Sequence, residues 1–233
     1  MKLKLIFLVL AVLILGELYA KPFTFPCVPG TPCWDTAGSS WDRILANQIP
    51  ENILGSMSTD DLVQTILHFP YLFEINNFDN MKNWYSTQTG RFNAFKELSL
   101  RFDATEILLK RYIETPISEK LLPNLIYEGV LAQDFVINNL NREQKLNLLK
   151  LSIDKFTPKI ELRSSQKEFS YFTGVYLLAK LMNADNNCEF KNLLVTNTNL
   201  FNFVKDGYLR NKDDQALILL EAIKYNQRLK GDE

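Results

Sequence analysis

The sequence has a single histidine, His68. A Ser–His–acid triad or a Cys–His pair would have to use that one residue, and no Gly-x-Ser-x-Gly elbow accompanies it. Its place at the end of "STDDLVQTILHFP" is that of a residue closing a helix, where a ring N–H can serve unpaired carbonyls. Glycine is also sparse: nine residues, scattered. They form no phosphate-cradling loop and no dinucleotide fingerprint, so no nucleotide cofactor is expected. Neither charge sign is in excess, with 26 basic against 27 acidic residues. Without a basic run to neutralise phosphates, nucleic acid is excluded as a partner, as is an anionic membrane surface. Period-two alternation, the mark of half-buried strands, is scarce.

Long apolar runs are missing except for one. Leu5 to Gly16, "LIFLVLAVLILG", follows Lys2 and Lys4 and leads to "ELYA". A positive head, a short apolar stretch and a small residue before the break make a secretory signal peptide over residues 1–20, cleaved after Ala20. The run falls short of the about 20 apolar residues a membrane span needs. No span is expected once it is removed.

Only three cysteines occur: Cys27, Cys33 and Cys188. They cannot complete a four-ligand metal set, and the first two are too far apart for a Cys-x-x-Cys redox motif. Export permits disulfides. Three pairings exist. "CVPGTPC" favours Cys27 with Cys33, because Pro29 and Gly30 suit the two central places of a type II turn. Cys188 would remain a free, buried thiol.

What is abundant is helical periodicity. Apolar residues make up 46 % of the chain, enough for a core. Residues 21–40, rich in Pro, Gly, Ser and Thr, read as an extended N-terminal arm. Residues 41–233 read as a single all-helical domain. In "SMSTDDLVQTILHFP", Ser58 caps, Asp60 and Asp61 favour the helix dipole, and Pro70 stops the helix. Leu62, Val63, Ile66 and Leu67 make its apolar stripe. "DATEILLKRYIE" starts on Asp103 as cap. "LLPNLIYEGVLAQDF" reads as a central buried helix beginning near Leu122, with Pro123 in its first turn. "NREQKLNLLKLSIDKFTPK" starts on Asn141 and is expected to end at Pro158. In all, about eight or nine helices of roughly 8 to 20 residues are expected. Short loops predict an all-α array of antiparallel hairpins, either HEAT-like or an irregular bundle. The charges of Arg101 to Asp103 and of Lys110 and Arg111 read as solvated helix faces.

The block "IPENILGSMSTDDLVQTILHFPYLFEINNFDNMKNWY", with "RFNAFKEL" and "RFDATEILLKRY" after it, resembles a group of uncharacterised secreted bacterial proteins. The resemblance covers residues 41 to about 155. It implies an exported all-helical protein with a HEAT-like superhelix. It implies no activity and carries over no catalytic role, at His68 or elsewhere.

Two sets of residues carry chemistry of their own. Glu128, inside an apolar helix, and Asp134, six positions on, are the acids a glycan hydrolase would need, one kept protonated by burial. The alternative has each acid face solvent or pair with a Lys or Arg of a neighbouring helix. "NWYSTQTGRF" sets Trp84, Tyr85, Arg91 and Phe92 in a polar context suited to holding a sugar or peptide, although such rings more often pack between helices. "STDD" lacks the spacing of an EF-hand loop. The sequence thus points to an exported bacterial scaffold that binds a protein, peptide or glycan partner in the cell envelope without catalysis. Neither a metal nor a cofactor is expected. The alternative is a cell-wall or glycan hydrolase using paired carboxylates.

Overall fold

The computed structural model describes residues 21–72, 75, 80–117, 121–165, 172–208 and 212–231. The expected signal peptide, residues 1–20, lies outside them. The fold is all-α. Among the described residues there are fourteen helices, no strand, and one isolated bridge between Asn80 and Tyr208. The helices are more numerous than the periodicity predicts, because short helices form near the N-terminus and at Cys188–Thr196, and the helix expected from Leu122 breaks after Leu131.

Residues 21–40 are not extended throughout: α1 (Pro32–Thr36) is a short helix capped by Thr31. Cys27 and Cys33 are disulfide-bonded around a turn in which Gly30 has φ 88°. The arm is anchored to the domain. Phe25 and Cys27 are buried. Cys27 exchanges two backbone hydrogen bonds with the Asn47 amide, at 2.9 and 2.7 Å.

Next come α2 (Ser40–Ala46), α3 (Glu51–Leu54) and α4 (Thr59–Leu67). Ser58 caps α4 by accepting the Asp61 N–H at 3.1 Å. After α5 (Met81–Arg91) and α6 (Asn93–Leu98) comes α7 (Ala104–Glu114). Asp103 makes no side-chain cap to α7. Its carboxylate instead accepts the Thr59 hydroxyl at 2.6 Å, tying α7 to α4. The two arginines nearby are not solvated faces either. Arg101 donates to the carbonyls of Leu54 and Met57 at 2.9 and 3.1 Å, closing the end of α3. Arg111 grips the Asp60 carboxylate with two nitrogens.

The second half holds α8 (Leu122–Leu131), α9 (Asp134–Ile137), α10 (Arg142–Ser165), α11 (Phe172–Ala184), α12 (Cys188–Thr196), α13 (Thr198–Asp206) and α14 (Lys212–Gly231). As the sequence predicts, α8 starts with Pro123 in its first turn, and Asn124 to Leu131 are all buried. The expected stop at Pro158 does not occur: α10 runs through it to Ser165. Proline removes one helical N–H. The carbonyl it abandons belongs to Asp154, an exposed residue, where water can take the donor's place. Continuing the helix keeps Lys155 and Lys159 on one face, one turn apart.

Packing follows a regular order. α4 packs on α6 and α7, α5 on α8, α7 on α8, α8 on α11, and α10 and α11 on each other and on α14. Contacts run both between chain neighbours, such as α5 with α6 and α7 with α8, and between helices three or four apart, such as α4 with α7, α5 with α8, α8 with α11 and α10 with α14. α11 lies at the centre of the second half, against α8, α9, α10, α12, α13 and α14. No helix among the described residues is long and apolar enough to cross a membrane.

Candidate functional site

His68 is the C-cap of α4 and is exposed. Its Nδ1 lies 2.7 Å from the Gln64 carbonyl. A carbonyl only accepts, so Nδ1 carries the proton and the ring closes the last turn. It borders a depression of about 370 Å³ shared with Arg111, Glu114 and Tyr127, but its hydrogen bond is to backbone, not to a hydroxyl or thiol.

The aromatic stretch turns inward. Trp84 and Phe92 are both 0 % exposed. Phe92 stacks on Phe69 at 4.2 Å, within a cluster that includes Phe25. Trp84 packs edge-on to Phe95 and presses its ring on Gly129 of α8. Tyr85 is half-buried, stacked on Phe135, and burial pushes its phenol well up. Arg91 is half-buried, and its carbonyl accepts from Gln48 at 2.8 Å. The four residues expected to form a contact surface therefore serve mostly as packing: α5 has few apolar side chains, and its rings supply its buried face. Gln88, also on that face, is 0 % exposed, and neither end of its amide has a partner.

Glu128 is 0 % exposed. One carboxylate oxygen accepts the Tyr112 hydroxyl at 2.8 Å and the Lys159 ammonium; the other accepts the Thr173 hydroxyl at 2.7 Å. One helix each supplies a member: α7, α8, α10 and α11. Burial and the adjacent carboxylate hold the Tyr112 phenol far above its ordinary value. Lys155, one turn before Lys159, donates to the Thr115 carbonyl and the Asn124 amide oxygen, and its ammonium sits 4.7 Å over the Tyr112 ring. Burial first, and the neighbouring Lys159 second, lower the Lys155 pKa, while Glu128 raises it. Asp134 is a separate matter: it is an exposed carboxylate paired with Lys180. The two acids are thus placed as the ion-pair alternative expects, each against a lysine of another helix. The sequence signs of the network are Glu128 inside an apolar helix and the lysines at i and i+4 of α10, Lys155 and Lys159.

Among the described residues a mainly polar cleft, of about 440 Å³, lies where the start of α5 meets α13. It went unnoticed in the sequence, yet the signal is there. Asn199, Asn202 and Asp206 recur at three- and four-residue steps on α13, opposite its buried Leu200, Phe203 and Val204. Asn80 and Asn83 form the facing wall, with Lys82 at the rim and Tyr208 below. The walls are fixed to each other by the Asn80–Tyr208 bridge and by a Met81 N–H donating to the Gly207 carbonyl at 3.2 Å. Gly207 makes this approach possible. Its φ is 75°, and a Cβ there would lie 2.9 Å from the Met81 nitrogen. The other exposed side of α13 carries Phe201, which lines an apolar groove with Leu194 and Val195. Cys188, expected to be buried, is exposed at the first residue of α12, outside the core face that Phe190 provides. Among the described residues no group of acids, histidines and cysteines is gathered to hold a metal ion.

Neither a family model, a curated protein nor a solved structure matches this chain.

Proposed function

We propose that the protein is an exported bacterial helical scaffold that holds a partner in the cell envelope and does no chemistry on it. One observation carries this reading: the carboxylate best suited to acid–base work is consumed inside the core. Glu128 is fully buried and held by two hydroxyls and an ammonium, so neither of its oxygens faces a cleft. A hydrolase of the two-carboxylate type needs both acids at one opening, and Asp134 pairs elsewhere, with Lys180. The all-helical build supports a helical array, an architecture that presents extended faces to partners. The apolar run at residues 5–16 and the Cys27–Cys33 disulfide support export.

The test is sedimentation with isolated envelopes, sacculi and membranes being assayed separately. The purified protein should pellet saturably with one fraction and release no reducing sugar or new amino groups from it. Absence of saturable pelleting overturns the scaffold; release of product that Glu128→Gln abolishes overturns the non-catalytic reading in favour of the hydrolase.

A further inference from the structure

The cleft between α5 and α13 has a definite chemistry. Its walls present side-chain amides, from Asn80 and Asn83 on one side and Asn199 and Asn202 on the other. An amide offers donors and an acceptor in one plane, which is what a hydroxyl group, itself donor and acceptor, requires. Asn80 spends its oxygen on the Asn83 backbone N–H at 2.8 Å and keeps its NH₂. No described residue hydrogen-bonds the side-chain amides of Asn83, Asn199 and Asn202 or the Asp206 carboxylate. Among the described lining residues the one negative charge, Asp206, is matched by the one positive charge, Lys82. A cleft neutral overall gains nothing from a phosphate or a cation. Calcium would call for more than one carboxylate among its six to eight oxygen ligands.

Size and apolar content narrow the ligand further. A volume of about 440 Å³ falls within the range of small-molecule sites, about 300–1,000 Å³. An extended peptide needs pockets for alternate side chains, and among the described lining residues the Tyr208 ring is the one sizeable apolar surface. A sugar ring matches both properties, with hydroxyls around its edge and one C–H face for an aromatic ring. The walls are also preorganised, since α13 is a packed helix and the bridge with the Gly207 contact locks it to α5.

We infer that this cleft binds a neutral mono- or disaccharide unit, with the amides of Asn83, Asn199 and Asn202 and the Asp206 carboxylate taking its hydroxyls. The inference rests on the scaffold reading and names what the scaffold holds: a neutral glycan.

The experiment is a titration of the full-length ¹⁵N-labelled protein with N,N′-diacetylchitobiose and, separately, maltose, followed by amide chemical shifts. At least one sugar should give saturable shifts confined to residues around 80–83 and 198–208. The double variant Asn202→Ala/Asp206→Asn, altered only at the cleft wall, should weaken that binding by at least about tenfold, the worth of a charge-assisted hydrogen bond, with an unchanged helical spectrum. Calcium chloride and a neutral serine–alanine peptide serve as competing probes. The inference is overturned if neither sugar saturates, if the double variant binds as tightly as the parent, or if calcium or the peptide shifts these residues and the sugars do not. Envelope sedimentation that persists in the double variant removes the glycan assignment and leaves the scaffold standing. Loss of sedimentation from the parent protein as well removes both.

Discussion

Replacing Glu128 by Gln changes almost no volume and removes one negative charge from the interior. Its consequences follow from what surrounds it. The Lys159 ammonium has 3 % of its side chain exposed and Glu128 1 %. Lys155, one turn away, is 7 % exposed. In Glu128→Gln two ammonium groups would share a buried region with no carboxylate. The hydroxyls of Tyr112 and Thr173 can still bond to the amide, so the loss is electrostatic. Breaking a buried pair by removing one partner costs about 3–5 kcal/mol, against a total stability of about 5–15 kcal/mol. With a urea dependence of about 2–3 kcal/mol per molar for a chain of this size, the unfolding midpoint should fall by about 1–2.5 M. The second arm is Glu128→Gln/Lys159→Met, which removes both charges. Well-packed apolar replacements of buried pairs are often neutral or better. The double variant should therefore recover most of the loss, with a coupling of about 2 kcal/mol or more. Raising the pH gives a third reading. An unpaired buried lysine has its folded pKa depressed below its unfolded value near 10.4. The unfolded state then binds more protons, so the single variant should regain stability as the pH rises toward that value. Urea titrations followed by circular dichroism at neutral and alkaline pH measure all three. A single variant within about 1 kcal/mol of the parent, or a double variant as unstable as the single, would refute the account of a closed ionic core.

Four further outcomes are expected. In Gly129→Ala the new Cβ would lie 2.8 Å from the Trp84 ring. The gain in helix propensity, about 1 kcal/mol, should be outweighed by overpacking of about 1–3 kcal/mol, and combining it with Trp84→Phe should relieve the loss in a thermal melt. Gln88→Met keeps the side chain's length and removes an amide buried without partners; it should stabilise by about 1 kcal/mol or more, and a lower urea midpoint would contradict this. Replacing Cys27 and Cys33 together by Ser should cost about 2 kcal/mol by loop entropy, read as a fall in melting temperature of about 4–8 °C. In alkali, Tyr112, Tyr85 and Tyr176 have phenols pushed well up by burial, and Tyr225 is pushed up to about 12, also by burial first. Groups with raised folded pKa values contribute stability that is complete below their unfolded value of about 10 and is lost as the pH rises through the folded one. Phenolate absorbance from these rings should thus appear together with the loss of helical signal; early ionisation in a still-folded protein would contradict it.

Local features of the fold were legible because local chemistry decides them. The Ser58 cap, the start of α8 at Leu122 with Pro123 behind it, and the Pro29–Gly30 turn each depend on a few adjacent side chains. The misreadings share a cause: the residue's partner lies far along the chain. Asp103 has the right type for a cap, but Thr59 claims its carboxylate. Arg101 and Arg111 look like surface charge until Leu54, Met57 and Asp60 are brought beside them. Pro158 breaks a helix in isolation, yet Lys159 has its partner 31 positions away, and that contact is made only if the helix continues. Gly129 carried a readable sign, being an unexplained glycine in a buried helix; what it accommodates, Trp84, was not readable. The polar cleft shows the same division. The Asn199, Asn202 and Asp206 face could be traced from spacing, whereas its opposite wall comes from α5, more than a hundred residues earlier.

The interior network and the surface cleft belong to one structural problem. Apolar stripes hold helices together but tolerate small rotations and slips, since apolar contact has little direction. Hydrogen bonds to a buried carboxylate have direction and a high cost when lost. Tyr112, Glu128, Lys159 and Thr173 stand on four different helices, so each of α7, α8, α10 and α11 is fixed in rotation by one contact to a common point. α11 in turn carries α13, which forms one wall of the cleft, and α8 carries α5, which begins the other. The register set in the core therefore passes to both walls through two short chains of packed helices. On this argument the ionic centre contributes geometry rather than reaction: it fixes how far apart the facing amides stand.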